Sequence, residues 1–128
     1  MTFSSTYSVT TSSGSWDRQR EICRMEEGDL ATFESLSLWM RMKKSVKKAS
    51  WRVFDDYRDT SVWLGGKVND TGYMVWYSTS RPIGEINQHI STVQDFCLFA
   101  KSQGSLWNIG KCGRQFIGVC EHRLKQFT

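Results

Sequence analysis

Trp63-Leu64-Gly65-Gly66 is a short apolar stretch near the middle of a 128-residue sequence, and four cysteines are arranged around it. One cysteine stands in the first quarter of the chain and three stand in its C-terminal third: Cys23, Cys97, Cys112 and Cys120. An even number of cysteines in so short a chain indicates a disulfide framework, and four cysteines allow three connectivities. Because disulfides persist outside the cell, the sequence predicts a domain that works in an extracellular setting or at the cell surface.

The composition is that of one folded domain. At 128 residues the chain can build one hydrophobic core but not two comfortable ones, which predicts a single domain over residues 1–128. Hydrophobic residues make up 39% and charged residues 23%, and this balance argues against disorder. The net charge of +4 is too small to indicate a nucleic-acid partner by itself.

The first residues of the sequence are not expected to form a targeting signal. Met1-Thr2-Phe3 begins neither a charged nor an apolar signal region, and no apolar run reaches the roughly 18 residues of a membrane helix. We therefore expect a domain that belongs to a longer secreted or membrane-anchored protein. Any attachment to a membrane is expected to use an anchor outside this chain.

Local signals predict two helices followed by short strands. Ser15 is a suitable N-cap for a helix over 16–25, and Gly28 is expected at the C′ position of that helix. A second helix is predicted over 35–48, where apolar residues recur at helical spacing. Its apolar stripe comprises Leu36, Leu38, Trp39, Met40, Met42 and Val46. Strands are predicted over 6–11, 62–65, 73–77, 96–100, 105–109 and 116–121. This order of elements is that of an α+β fold.

The second predicted helix also carries a run of basic residues. We call this run the basic strip: Arg41, Lys43, Lys44, Lys47 and Lys48. Helical spacing places Arg41, Lys44 and Lys48 on one side. A strip of this kind suits a sulfated or sialylated glycan or an acidic protein face, although a solvated helix surface explains it as well.

Several motifs in the chain resemble those of the C-type lectin-like domain. The resemblance covers residues 7–122, and the motifs stand in the family's order: Ser15-Trp16, Gly28-Asp29-Leu30-Ala31, Trp63-Leu64-Gly65-Gly66, Trp76, Trp107-Asn108 and Val119-Cys120-Glu121. The resemblance implies two helices packed on short antiparallel sheets, with the disulfides Cys23–Cys120 and Cys97–Cys112. It also implies the short form of the family, because the additional N-terminal cysteine pair of the longer form is missing.

The family's calcium motifs are altered in this chain. Calcium-binding members use a glutamate-proline-asparagine triplet, a carboxylate just before a cysteine, and a tryptophan-asparagine-aspartate motif. The nearest triplet is Glu85-Ile86-Asn87, and a cis bond before a residue other than proline costs about 2.5–4 kcal/mol. In Trp107-Asn108-Ile109 an apolar residue replaces the aspartate. The resemblance therefore implies no metal and no cofactor. A remnant calcium site would have to use Glu85, Asn87, Asp95 and Asn108.

A second alignment of the same region removes the ion-binding triplet altogether. It matches Ser80-Arg81-Pro82-Ile83 to the start of the family's long loop. In either alignment residues 77–94 form a variable loop on a rigid scaffold, and such loops commonly carry binding function. The candidate ligand-binding residues of the long loop are polar or charged: Arg81, Glu85, Asn87, Gln88 and His89.

Signals of catalysis are missing from the sequence, whereas one signal of modification is present. No nucleophile-elbow, P-loop or zinc-protease pattern occurs, so the chain is predicted not to be an enzyme. Asn69-Asp70-Thr71 is an N-glycosylation sequon followed by Gly72, which suits a turn. Trp51, in the loop after the basic strip, is a candidate contact residue.

The sequence thus predicts a non-catalytic extracellular recognition module that binds a protein or an anionic glycan without calcium. The alternative is a calcium-dependent carbohydrate-binding lectin that uses the four remnant ligands named above. The resemblance implies a cell-surface receptor or a soluble recognition protein, and it is compatible with a homodimer.

Overall fold

A computed structural model describes residues 2–46, 61–86, 88–91, 95–101 and 106–126 of the chain. In chain order the helices and strands are β1 (Thr2–Val9), α1 (Trp16–Met25), β2 (Asp29–Leu30), α2 (Leu36–Val46), β3 (Ser61–Val68), β4 (Met74–Trp76), β5 (Arg81–Pro82), β6 (Phe96–Lys101), β7 (Trp107–Lys111) and β8 (Ile117–Gln126). These elements confirm the predicted α+β class. Trp51, Lys47 and Lys48 lie outside the described residues.

The strands form one connected sheet in which β8 holds a central place. The main path runs β1-β8-β3-β4-β5, while β2 pairs with β8 and β6 pairs with both β3 and β7. β1 runs antiparallel to β8 from the Thr2↔Gln126 pair onward. The predicted antiparallel pairing has one exception, because β3 and β8 run parallel where Trp63 meets Gly118. Since β8 is flanked on both sides, its residues 117–121 are all buried.

Both disulfides pair as the resemblance implies. Cys23–Cys120 ties α1 to β8 across 97 residues of sequence, and Cys97–Cys112 ties β6 to the end of β7 across 15 residues. The Cα–Cα distances of 5.3 and 5.1 Å are ordinary for disulfides. No cysteine of the described chain is left free.

Within the apolar stretch, Trp63 lies in a buried cluster around the two disulfides, whereas Leu64 lies in the other core cluster. The indole N–H of Trp63 donates to the backbone oxygen of Gly14 at 3.1 Å, and that of Trp16 donates to Leu64 at 2.8 Å. A buried indole N–H that lacks an acceptor is costly, so these two bonds allow both rings to be fully buried. The central strand β3 and helix α1 are thereby fixed to each other.

Helix α1 has the bounds that the sequence predicts, and its two ends explain why. The side chain of Ser15 caps the first turn by accepting from the backbone N–H of Arg18 at 3.2 Å. At the other end the prediction for Gly28 is wrong by one residue, because Glu27 occupies C′ with a φ of 62°. Glycine is needed at position 28 for a different reason. A Cβ there would lie 2.6 Å from the backbone oxygen of Glu121 in β8.

Helix α2 is rotated relative to the stripe that the sequence predicts. Trp39 and Met42 face the core, whereas Leu38 is 37% exposed. The ring of Trp39 meets Phe33 edge-on at 5.6 Å and lies 6.0 Å from the ring of Trp107. These aromatic contacts set the rotation of the helix, and they leave Leu38 at the surface.

The strand predictions are wrong mainly at strand ends and for the shortest strands. β1 covers 2–9 rather than 6–11 because its pairing with β8 continues toward the N-terminus. β2 and β5 were not predicted, and each contains only two residues. A hydrophobic pattern cannot be recognised over two residues, because it takes about four to establish alternation.

Candidate functional site

The long loop is anchored at two points along its length. Ile83 is buried and donates its backbone N–H to Met74 at 3.2 Å. Ile90 donates to the backbone oxygen of Gly72 at 2.7 Å. Between these anchors Glu85 and Gln88 are exposed, so the loop presents polar side chains from a fixed base.

Two of these loop residues line an open groove of about 400 Å³, which we call the long-loop groove. Its lining residues are Glu85, Ile86, Gln88, Trp107, Asn108 and Ile109. Trp107 belongs to the aromatic core, since its ring lies edge-on to Trp76 at 5.7 Å. Its indole nitrogen is buried without a hydrogen-bond partner among the described residues. Asn108 turns its amide nitrogen toward its own chain and donates to Leu106 at 3.3 Å.

The remnant calcium ligands are only partly brought together. Glu85 and Asn108 share the long-loop groove, whereas Asn87 lies outside the described residues. Asp95 is ion-paired with Lys111 at 3.5 Å. Asn108 pairs with Phe99 in the β6–β7 ladder, and the four residue steps from position 95 to position 99 correspond to about 13 Å of strand.

The three of these positions that the structure describes do not form a calcium cage. Calcium requires six to eight oxygen ligands around one point. Within the described ranges no three His, Cys, Asp or Glu side chains come together as metal ligands, and the Glu85–Ile86 peptide bond is trans. The described oxygen donors are therefore dispersed rather than gathered.

The remaining long-loop candidates lie elsewhere. His89 is exposed and meets the ring of Tyr73 edge-on at 5.5 Å, beside the β3–β4 turn. Arg81 lies in β5, on the other side of the buried Ile83, and lines a different groove. Residues that are close in sequence are thus divided among three surfaces.

The groove that contains Arg81 has a volume of about 590 Å³, and we call it the Glu121 groove. Its lining residues are Ser5, Tyr7, Thr32, Phe33, Glu34, Leu38, Trp76, Thr79, Arg81, Pro82, Glu121 and Arg123. Five separate parts of the chain supply them: β1, the link after β2, α2, the β4–β5 hairpin and β8. Sequence reasoning missed this groove. The available signal was a carboxylate next to a cysteine in the last strand, Glu121 after Cys120.

The Glu121 carboxylate is 8% exposed and is held by three donors. Ser5 donates its hydroxyl at 2.7 Å, Thr32 donates its backbone N–H at 3.0 Å, and Arg123 donates Nε at 3.2 Å. A buried carboxylate needs such partners, because its charge is otherwise costly to desolvate. The carboxylate therefore joins β1, β8 and the link after β2.

Tyr7 takes its electrostatic character from this groove. Burial and the charge of Glu121 raise the pKa of the Tyr7 phenol above its ordinary value of 10.0. Because the folded state favours the protonated phenol, Tyr7 contributes to the stability of the fold, and this contribution is complete below pH 10. It is lost as the pH rises through the higher folded-state value. At neutral pH the hydroxyl is thus a neutral hydrogen-bond donor.

The basic strip is only partly described. Arg41 is exposed on α2, and Lys43 and Lys44 belong to the same helix. The described helix therefore carries at least part of the basic sequence. The binding role expected for the strip stays a prediction.

The sequon lies in the turn between β3 and β4. The side-chain oxygen of Asn69 accepts the backbone N–H groups of Thr71 at 3.0 Å and Tyr73 at 2.9 Å. It also accepts the hydroxyl of Thr71 at 2.9 Å. The carboxamide is therefore fixed through its oxygen.

The family model of the C-type lectin domain matches residues 12–122. A comparison with curated proteins finds no match. In the described part of the chain, no helix is long and apolar enough to cross a membrane.

Three solved structures illustrate the structural similarity. TC14, a C-type lectin from the tunicate Polyandrocarpa misakiensis, has a TM-score of 0.66 at 14% identity, with 95% of this chain and 100% of TC14 covered. The carbohydrate-recognition domain of the mouse scavenger receptor C-type lectin has a TM-score of 0.68 at 15% identity, with coverages of 97% and 92%. Herring type II antifreeze protein has a TM-score of 0.68 at 18% identity, with coverages of 98% and 95%. At such identities the comparisons establish the fold alone.

Proposed function

The chain belongs to the C-type lectin domain family, and on that premise we propose that it is a non-catalytic extracellular recognition module that binds a protein or an anionic glycan without calcium. Domains of this family serve as ligand-binding modules for glycans or proteins. The two disulfides support an extracellular setting, where such bonds persist. Structural neighbours that include both lectins and an antifreeze protein leave the ligand to be argued from this chain's own residues.

The position of Asp95 is the observation that carries calcium independence. Its carboxylate is ion-paired with Lys111. Along the β6–β7 ladder, the backbone of Asp95 is also about 13 Å away from the level of Asn108. The ligand surface that remains combines the polar rim of the long-loop groove with the cationic side chains of β5, β8 and α2. Such a surface holds ligands by direct hydrogen bonds and ion pairs.

Removing calcium is expected to leave ligand binding unchanged. The test is a glycan array probed with the domain in calcium and then in a chelator. Because direct contacts depend on charge rather than on a metal, binding to anionic glycans should persist in chelator and should fall as the salt concentration rises. Loss of all binding in chelator would contradict the proposal.

A calcium-dependent lectin is the second candidate function, since Glu85 and Asn108 line one groove. Titration calorimetry of Ca²⁺ into the chelator-treated domain separates the two candidates. Calcium independence predicts no saturable heat at about 1 mM, a concentration at which extracellular calcium modules bind. Saturable binding that Asn108→Ala abolishes, while Asn69→Gln leaves it intact, would establish the lectin instead.

We also propose that Asn69 carries an N-linked glycan when the domain passes through a eukaryotic secretory pathway. The turn fixes the side-chain oxygen and not the nitrogen that would carry the sugar, so a glycan is compatible with the fold. The expected result is a loss of apparent mass on treatment with an amidase that removes N-linked glycans. Thr71→Ala should abolish the mass change and Thr71→Ser should keep it. An unmodified wild-type domain would refute this assignment.

A further inference from the structure

We propose that the Glu121 groove is the anion-binding subsite of this module, in which Arg81 and Arg123 hold the carboxylate or sulfate group of an acidic sugar residue. The inference rests on the proposed function and adds the location and chemistry of the ligand contact. The groove is distinct from the long-loop groove, because the two have no lining residue in common.

Arg81 is the first anchor of the subsite. It is exposed in β5, where its backbone is fixed by pairing with Trp76 and by a bond from its N–H to the Thr79 hydroxyl at 3.3 Å. Over the described ranges its guanidinium has neither an ion pair nor a hydrogen bond. Because the backbone of Arg81 is fixed and its planar guanidinium is free within the described part of the chain, the side chain can donate two parallel hydrogen bonds to a carboxylate or sulfate.

Arg123 is the second anchor, and the buried Glu121 orients it. Nε of Arg123 donates to the Glu121 carboxylate at 3.2 Å, and that carboxylate is itself held by Ser5 and Thr32. The described residues provide no partner for the terminal nitrogens of Arg123. Glu121 therefore acts as a positioning residue, and the outer edge of the guanidinium is available to a ligand.

The rest of the groove favours a sugar over an acidic peptide. β5 offers a sheet edge of only two residues, and one of them is Pro82, which has no N–H to pair with an added strand. A volume of about 590 Å³ suits a small ligand, and the uncharged Tyr7 phenol adds no negative charge that would oppose an anion. The exposed side chain of Leu38 supplies apolar contact at the rim.

Two further charges define the subsite. Glu34 is exposed in the lining of the groove, and its negative charge repels an anionic ligand. It is therefore expected to lower the affinity of the subsite. Arg41 follows Leu38 by three residues on α2, and residues at this spacing share a helix face. An oligosaccharide that extends out of the groove past Leu38 would therefore contact Arg41, the first residue of the basic strip.

The test uses two acidic probes and one neutral probe. A heparin-derived tetrasaccharide carries sulfate and carboxylate groups, 3′-sialyllactose carries a carboxylate alone, and lactose carries no charge. Affinities come from calorimetry, and the location comes from backbone amide shifts in NMR spectra. We expect at least one acidic probe to bind, lactose to be inert, and the largest shifts to occur at Leu38, Thr79 and Arg81 rather than at Glu85 and Gln88.

The variants separate the subsite from general attraction of anions. Arg81→Ala should weaken binding of the acidic probe about tenfold or more, because a charged hydrogen-bonding partner is lost. Arg123→Lys should weaken binding several-fold, since the positive charge is kept but the paired donors of the guanidinium are lost. Glu34→Gln should strengthen binding about twofold, because a repelling negative charge is removed. Arg18→Ala is the matched control, because it removes an exposed arginine that pairs with Glu21 on α1.

The outcomes distinguish the subsite from the proposed function. If an acidic probe binds but Arg81→Ala weakens it no more than Arg18→Ala does, the subsite is wrong and the proposed function stands. Equal binding of lactose would overturn anion recognition in the groove. If neither acidic probe binds the wild-type domain, the subsite is refuted and the proposed function is left only with a protein ligand.

Discussion

Replacing Cys23 and Cys120 together with serine is expected to lower the free energy of unfolding by about 4–5 kcal/mol, the value of the chain-entropy model for a loop of about 100 residues. The bridge joins α1 to β8, and both sulfurs are buried. A domain of this size is stable by about 5–15 kcal/mol in all, so this loss would remove at least about a quarter of its stability. Urea unfolding followed by tryptophan fluorescence measures the change.

Removal of the second disulfide is the matched control for this experiment. Cys97 and Cys112 close a separation of only 15 residues, for which the same model gives about 3 kcal/mol. The β6–β7 region should loosen, while α1 and β8 should stay packed. Equal, negligible losses from the two double variants would show that neither bridge constrains the unfolded chain as described.

Gly65→Ala is expected to destabilise the domain by about 1–3 kcal/mol, the usual cost of overpacking a well-filled core. A Cβ at this position would lie 2.7 Å from the backbone oxygen of Leu30 and 3.0 Å from that of Ala31. Backbone atoms cannot move aside as a flexible side chain can. The backbone N–H of Gly65 also donates to Ala31 at 2.9 Å, so a shift of β3 would break that bond as well.

Gly113→Ala is the control for Gly65→Ala. A Cβ at Gly113 meets nothing within 4 Å, and Gly113 is not among the described residues of positive φ. The substitution should leave stability unchanged or raise it by up to about 1 kcal/mol, because alanine restricts the unfolded chain. If both alanine variants behave alike in thermal unfolding, the close approach of β3 to Leu30 and Ala31 does not limit stability.

The features that sequence predicted well are those set by local chemistry. Ser15 caps α1 through its own neighbour Arg18, so the start of that helix follows from four consecutive residues. The cysteine pairing came from resemblance rather than from spacing, since four cysteines alone allow three connectivities. The family motifs then fixed which pair is joined.

The features that sequence did not predict depend on contacts between distant parts of the chain. The rotation of α2 follows from Trp39 meeting Phe33 and Trp107, and no local pattern distinguishes that face from the one that carries Leu38. The sequence predicts that Arg81 belongs to the long loop together with Glu85. The buried Ile83 between them places the two residues on different surfaces.

The Glu121 groove could not have been assembled from the sequence because its lining spans Ser5 to Arg123. Only the pairing of β1 with β8 brings those two strands together. From the sequence alone, a glutamate in the last strand is expected to face solvent. In the structure β1 and β2 both pair with β8 at Glu121. Its burial is therefore a property of topology and not of the local pattern.

The pairing of Thr2 with Gln126 has a practical consequence for protein engineering. Cα atoms opposite each other in an antiparallel ladder are about 5 Å apart, so the chain enters and leaves the domain at nearly the same place. Such a unit can be inserted into a surface hairpin of a host enzyme or antibody without separating the two strands of that hairpin. The two ends of β1 and β8 that lie side by side can also be joined by a short peptide to allow circular permutation.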